Sequence, residues 1–206
     1  MCFSASASFT ASAVLGLVGA ATLAKTKNKR AWPLAAVPLL FALQQFVEGL
    51  LWLSLKNGPD YTLPLTHIFL FFALLFWPIY IPVVALALEP HKIRRIIISV
   101  FCVAGAVIGV LLYANFLQNP EAARVINKCL FYPDRTSYPI LLKYLYILVT
   151  IGSGAVSSRP IIKLFSLLGL IFALIAWLIY TVNFISVWCF FAAIISAVLY
   201  FYPQKQ

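Results

Sequence analysis

Glu48 is the residue of this chain that is hardest to reconcile with its surroundings. It stands in Phe41-Ala42-Leu43-Gln44-Gln45-Phe46-Val47-Glu48-Gly49-Leu50-Leu51-Trp52, inside a long apolar run. A carboxylate in a lipid-embedded helix costs ~3 kcal/mol on insertion scales, so such groups face a partner, a cavity or a pathway. Gln44, Gln45 and Trp52 lie at i−4, i−3 and i+4 from Glu48 and share its helix face. Leu and Phe side chains are left for the opposite face. One carboxylate with two carboxamides makes a hydrogen-bonding platform, and with an imidazole it would make an acid–base pair.

The residues that would complete such a site sit far away in sequence. His67, Trp188 and Cys189 fall in other apolar runs, and Cys2, Ser4, Ser6 and Ser8 open the chain. Imidazole, thiolate and carboxylate are reasonable ligands for zinc, copper or iron. No HxxxH or CxxC spacing supports a metal, so the sequence names no metal and no cofactor. Cys2 and Cys129 are expected on the same, non-cytoplasmic side, where a disulfide between them would persist and tie the N-terminus to a loop. Cys102 and Cys189 read as small buried hydrophobes. Removal of Met1 would expose Cys2 as an N-terminal nucleophile.

These residues need a frame, and composition supplies it. The chain has 206 residues, 64% hydrophobic and 10% charged, with a mean hydropathy of +1.00. A water-soluble domain is about half apolar and a quarter charged. Backbone polar groups in hydrocarbon need internal partners, which leaves helices or closed barrels. Apolar runs of about 20 residues without dyad alternation read as helices. We expect an all-α bundle of seven transmembrane helices in a single domain. The spans are 5–24, 32–55, 63–88, 96–117, 138–156, 161–180 and 183–202. The third is long enough to tilt, or to bend at Pro78 and Pro82. The last two should form a tight hairpin around Thr181 and Val182.

Charge sets the expected orientation. Lys25, Lys27, Lys29, Arg30, Lys92, Arg94, Arg95, Arg159, Lys163 and Lys205 fall on one side, against Lys56, Arg124, Lys128, Arg135 and Lys143 on the other. The bias puts the N-terminus outside and the C-terminus in the cytoplasm. No positive segment precedes the first run, so it does not read as a cleaved signal peptide. The net charge of +10 is expected to meet anionic lipid headgroups rather than nucleic acid, for which there is no basic face or recognition module. Among the acids, Asp60, Glu121 and Asp134 fall outside, and Glu89 falls inside. In this frame Glu48 lies about seven residues, or ~10 Å, from the outer end of its helix. His67, Trp188 and Cys189 come to similar depth.

Other features read as packing. Ser4, Ser8, Ser12, Gly16, Ala20 and Ala24 recur at every fourth position, which suggests a small-residue stripe for close helix approach. Gly105 and Gly109 form a GxxxG pair, and Gly152 and Gly154 loosen the fifth helix. Trp32, Trp52, Tyr61, Tyr132, Tyr138, Tyr200 and Tyr202 fall near span ends, where aromatic residues anchor at interfaces. The external loop at about 118–137 is long for a connection, and either caps something or is a mobile tether.

Met1-Cys2-Phe3-Ser4-Ala5-Ser6-Ala7-Ser8-Phe9 resembles the opening of a family of small bacterial integral membrane proteins of unknown function. Gln44-Gln45-Phe46-Val47-Glu48-Gly49-Leu50-Leu51-Trp52 and Ser186-Val187-Trp188-Cys189-Phe190-Phe191-Ala192-Ala193 are also similar to it. The resemblance implies a multi-pass protein of the bacterial inner membrane and brings no substrate. A retinal protein is excluded, because no lysine stands within the last apolar run. Three functions fit. The protein binds or transports a small molecule, lipid or ion through a polar site in the outer half. It is an intramembrane enzyme using Glu48 and His67, with Cys2 or Cys189 as nucleophile. Or it is a structural membrane subunit.

Overall fold

The computed structural model describes residues 4–57, 61–133 and 140–201. Cys2, Asp60, Asp134, Arg135, Tyr138, Tyr202 and Lys205 lie outside these residues. The helices are α1 (Ala5–Lys25), α2 (Trp32–Asn57), α3 (Thr62–Leu70), α4 (Trp77–Leu88), α5 (Lys92–Gln118), α6 (Ile140–Val156), α7 (Pro160–Ile179) and α8 (Phe184–Ser196). A π-helical stretch, Phe71–Phe76, joins α3 to α4 in one continuous pass, and a 3-10 turn, Ala197–Phe201, extends α8. Seven helical passes result. Among the described residues, six are long and apolar enough to cross a membrane, and α6 is a shorter apolar helix. This is a multi-pass membrane protein. Exposed Val, Leu and Ile side chains line α5 and α7, as a lipid-facing surface requires.

One boundary is corrected in detail. The fourth expected span, now α5, begins at Lys92 rather than at 96. Arg94 and Arg95 reach sideways to backbone carbonyls, so the charged turn stays helical. The long loop has secondary structure of its own. It folds into an antiparallel hairpin of β1 (Arg124–Ile126) and β2 (Cys129–Phe131). Asn127 and Lys128 turn it with φ of 53° and 62°, the left-handed pair that a two-residue hairpin loop demands.

The stripe on α1 also departs from expectation. Its buried positions are Ser8, Leu15, Gly19 and Thr22, with Ser12 donating to Ala42 O at 2.8 Å. Gly16 meets no neighbour within 4 Å of an added Cβ, and Ala20 and Ala24 are exposed. A strict four-residue spacing advances about 40° per step around a 3.6-residue helix, so it slips off the contact face. The actual face, with Gly19 pressed on the Leu39 backbone, follows the helical period.

The third pass shifts into π register just before Pro78 and Pro82. Trp77 N–H bonds to Phe72 O in π register. The Ala73 carbonyl would then look to residue 78, but proline has no N–H. Tyr146 Oη donates to Ala73 O instead, at 2.5 Å. Pro78 likewise removes the α-helical donor of Leu74, and Pro82 removes that of Pro78. These carbonyls face the GxxxG pair. A Cβ on Gly105 would collide with Pro78 O, and one on Gly109 would lie 3.2 Å from Leu74 O. Glycine therefore lets α5 approach the carbonyls that proline leaves without a helical partner, where Cα–H groups can meet them.

At the end of the bundle opposite the hairpin, Glu89 organises the helix termini. It is buried and accepts from Ser157 Oγ at 3.2 Å, Ser158 N at 2.6 Å, His91 N at 3.2 Å and the Ser158 hydroxyl. Burial alone would raise its pKa, but the donors from Ser158, His91 and Ser157 together outweigh it and hold the carboxyl below its ordinary value. Arg95 caps Leu86 O and Glu89 O, Arg159 caps Leu88 O, and Arg94 reaches Val156 O. Cations thus sit on the C-terminal ends of α4 and α6, and the carboxylate sits at the N-terminal end of α7, as the helix dipoles favour.

Two outcomes follow from this packing. Gly105→Ala should destabilise the detergent-solubilised protein by about 2 kcal/mol through overpacking, while Gly16→Ala should leave its thermal midpoint unchanged or raised. A folded-state carboxyl held low stabilises at pH above the ordinary glutamate value of 4.5, and that contribution disappears as pH falls through the lower folded value. Thermal melts between pH 7 and 3.5 should therefore show a steeper acid loss in the parent protein than in Glu89→Gln.

Candidate functional site

The α2 stripe forms as its spacing requires. Gln44, Gln45 and Glu48 are each 0% exposed, while Leu43 and Phe46 point outward. Gln44 Oε1 accepts from Trp77 Nε1 at 2.7 Å, and the Trp77 ring stacks on Phe41 at 3.9 Å. Glu48 Oε1 accepts from Ser186 Oγ at 2.6 Å. Ser186 lies on α8, one turn before Cys189, and Cys189 faces both Gln44 and Glu48. Gln45 and Tyr132 also face the Glu48 carboxyl, outside hydrogen-bond geometry. Gln44 Nε2, both Gln45 amide atoms, Glu48 Oε2, Trp52 Nε1 and Tyr132 Oη are buried with no hydrogen-bond partner among the described residues. Buried polar atoms in that condition are rare and costly, about 1–3 kcal/mol each. Their concentration around one carboxyl marks this cluster out from the rest of the protein.

Tyr132 brings the hairpin into the site. It is buried rather than interfacial, and its ring stacks on Phe69 at 4.5 Å and 1°. The hairpin is fixed by Asn183 Nδ2 to Leu130 O at 3.1 Å and by Ala123 N to Thr66 Oγ1 at 3.0 Å. Cys129 is disulfide-bonded, whereas Cys102 and Cys189 are free. Cys2 lies outside the described residues.

A cavity of about 560 Å3 opens beside this cluster at the hairpin end. Its walls come from the π stretch, the ends of α5 and α7, the start of α6 and α8, and the hairpin. Most of the lining is apolar, which is usual for a small-molecule site of this size. Tyr132 and Cys189 line it and also face Glu48. Deeper in the bundle, a second cavity of about 50 Å3 shares Tyr146, Trp188 and Cys189 with the first. Those three form the partition. Trp188 Nε1 donates to Gly169 O at 3.2 Å, and its ring meets Tyr146 edge-on at 5.7 Å.

Of the residues singled out by sequence, Gln44, Gln45, Glu48 and Cys189 come together, with Trp52 one turn along the same face. Trp188 lines the cavity. His67 does not join them: its ring packs on Phe116 at 4.7 Å, and no hydrogen bond links it to Glu48. Ser186, Tyr132, Trp77 and Tyr146 belong to the site and were not expected there. The spacing of Ser186 and Cys189 on one helix face was the available signal for the first. Among the described residues, no group of three or more His, Cys, Asp or Glu side chains could hold a metal ion.

The Ser186–Glu48 bond gives a direct test. Ser186→Ala should lower stability by about 2 kcal/mol, because the carboxyl loses its donor. In a Glu48→Gln background the same change should cost measurably less, a coupling that a double-mutant thermal-stability cycle reads out.

No curated protein and no solved structure matches the chain. Over residues 1–206 it matches the model of a family of unknown function (DUF6629), and it belongs to that family.

Proposed function

We propose that this membrane protein binds a small amphiphilic molecule in the cavity at the hairpin end. In this reading the hairpin end faces the outside of a bacterial inner membrane, as the distribution of basic residues favours. The observation that carries the proposal is the 560 Å3 cavity, bounded by Tyr132 and Cys189, which also face the buried Glu48 cluster. An occupant would press on the same two side chains that face the carboxyl. Its presence would therefore be felt by α2 and α8 together.

Binding is favoured over catalysis because the imidazole needed for an acid–base pair packs on Phe116 instead. Transport would additionally require the Tyr146–Trp188 partition to open toward the small second cavity. Surrounding lipids, and no nucleic acid, are the remaining partners in this reading.

A neutral alkyl alcohol carrying a photoreactive diazirine tests the proposal. It should label peptides containing Leu112–Asn119 and Thr181–Cys189 saturably, and excess unlabelled alcohol should compete. Val182→Trp, at the exposed mouth of the cavity, should reduce labelling severalfold. Labelling that is unsaturable and spread over lipid-facing positions such as Val100 and Val103 would refute it.

A further inference from the structure

Apart from the cavity, the Glu48 cluster has the composition of a site in its own right. Glu48 Oε1 accepts from Ser186 Oγ, which leaves Oε2 without a partner. Gln45 Oε1 and Tyr132 Oη are without one too, and both side chains face the carboxyl. All three residues are buried, Glu48 and Gln45 completely. They come from α2 and the hairpin, and Ser186 comes from α8, so separate elements converge on one point. No lysine, arginine or histidine among the described residues pairs with Glu48. The other titratable groups facing it are the Tyr132 phenol on the hairpin and the Cys189 thiol on α8. An ionisable group inside a span, with free oxygens around it, is where ions are held.

The balance of donors and acceptors says what would fit. A proton on Glu48 gives Oε2 one hydrogen to share with one acceptor, and leaves the Gln44 Nε2 and Trp52 Nε1 donors unanswered. Water can accept from those donors, but brings no positive charge to a carboxylate held in an apolar bundle. A cation that keeps part of its hydration does both. Its charge meets the oxygens, and its water accepts from the N–H groups. One carboxylate among neutral oxygens balances a single positive charge. Zinc and its relatives need imidazole or thiolate ligands in a set, and among the described residues no such group of His, Cys, Asp or Glu exists. Tyr132 and Cys189 line the larger cavity and face Glu48, which gives an ion a route of approach.

We infer that Glu48, Gln45, Tyr132 and Ser186 form a binding site for a partly hydrated monovalent alkali cation, sodium or potassium. The carboxyl holds either a proton or the ion. Entry of the cation displaces the proton to water, so the net charge of the buried cluster is the same in both states. The site goes beyond amphiphile binding in the larger cavity and does not depend on it.

The experiment uses the full-length protein in zwitterionic nanodiscs and measures equilibrium binding of radiolabelled sodium and of radiolabelled rubidium, which stands in for potassium. Binding of at least one should saturate at one ion per chain and resist displacement by choline, and the tracer held more tightly identifies the ion. Affinity should fall as pH falls, because protons compete for the same oxygen. Glu48→Gln should abolish binding. Gln45→Leu and Tyr132→Phe should each weaken it about tenfold, the scale of one lost ligand, without lowering the thermal midpoint measured in choline. Dicyclohexylcarbodiimide, which modifies protonated carboxyls in apolar surroundings, gives a second reading on the unaltered protein. The bound cation should slow modification of Glu48 severalfold relative to choline. No saturable binding of either tracer, or binding that Glu48→Gln leaves intact, would overturn the site. Modification at equal rates in sodium, potassium and choline would overturn it in favour of a proton with separate waters. None of these failures touches the amphiphile reading, which the diazirine labelling tests by itself.

Discussion

A carboxyl group with no solvent exposure, inside a bundle built from apolar helices, constrains much of this architecture. Glu48 takes its direct hydrogen bond from Ser186, 138 positions further along the chain. That contact is possible only if α2 and α8 lie side by side in fixed register. The side chains around it are mostly uncharged: two carboxamides, a phenol, a thiol and an indole. A buried carboxyl surrounded by neutral, adaptable donors is a poor choice for stability alone. Its position beside a cavity gives it a context that packing does not.

The second constraint is the backbone. In a membrane each peptide group needs a partner within the protein, and the third pass breaks that rule twice, at Pro78 and Pro82. Its repairs are side chains and close approaches from other helices. Tyr146 serves the Ala73 carbonyl, and Gly105 and Gly109 admit the Pro78 and Leu74 carbonyls against α5. The repair also sets the site. Tyr146, held by that bond, forms part of the partition between the two cavities. A defect in one helix thereby positions a wall of the binding space.

What the sequence made legible follows from range. Span limits depend on local hydropathy, and the observed helices agree with expectation to within a few residues. The α2 face depends on helical periodicity, so Gln44, Gln45 and Glu48 could be grouped without a structure. Depth brought Cys189 to the right level. Depth leaves azimuth open, however, and His67 shows the consequence: it shares a helix with buried Thr66 and Phe69 yet turns toward Phe116. Tyr132 was hidden for a different reason. A tyrosine in a loop near a span end has the composition of an interfacial anchor, and only the fold of β1 and β2 carries it into the bundle. Lys143 reads in the sequence as one more topogenic charge, and only the fold places it on the cavity wall.

The two ends of the bundle differ in a way that bears on how any occupant enters. At the end opposite the hairpin, Arg94, Arg95 and Arg159 hold helix C-termini, and Glu89 ties the loop after α4 to the start of α7. Charge-assisted bonds to backbone make this end a clasp. The hairpin end is joined differently, by the disulfide at Cys129 and by neutral contacts such as Asn183 to Leu130 and Ala123 to Thr66. The larger cavity lies at that same end, so exchange at the hairpin side requires no rupture of the clasp. Passage through the protein would need Tyr146 and Trp188 to part as well, against the bonds each makes to a neighbouring helix backbone.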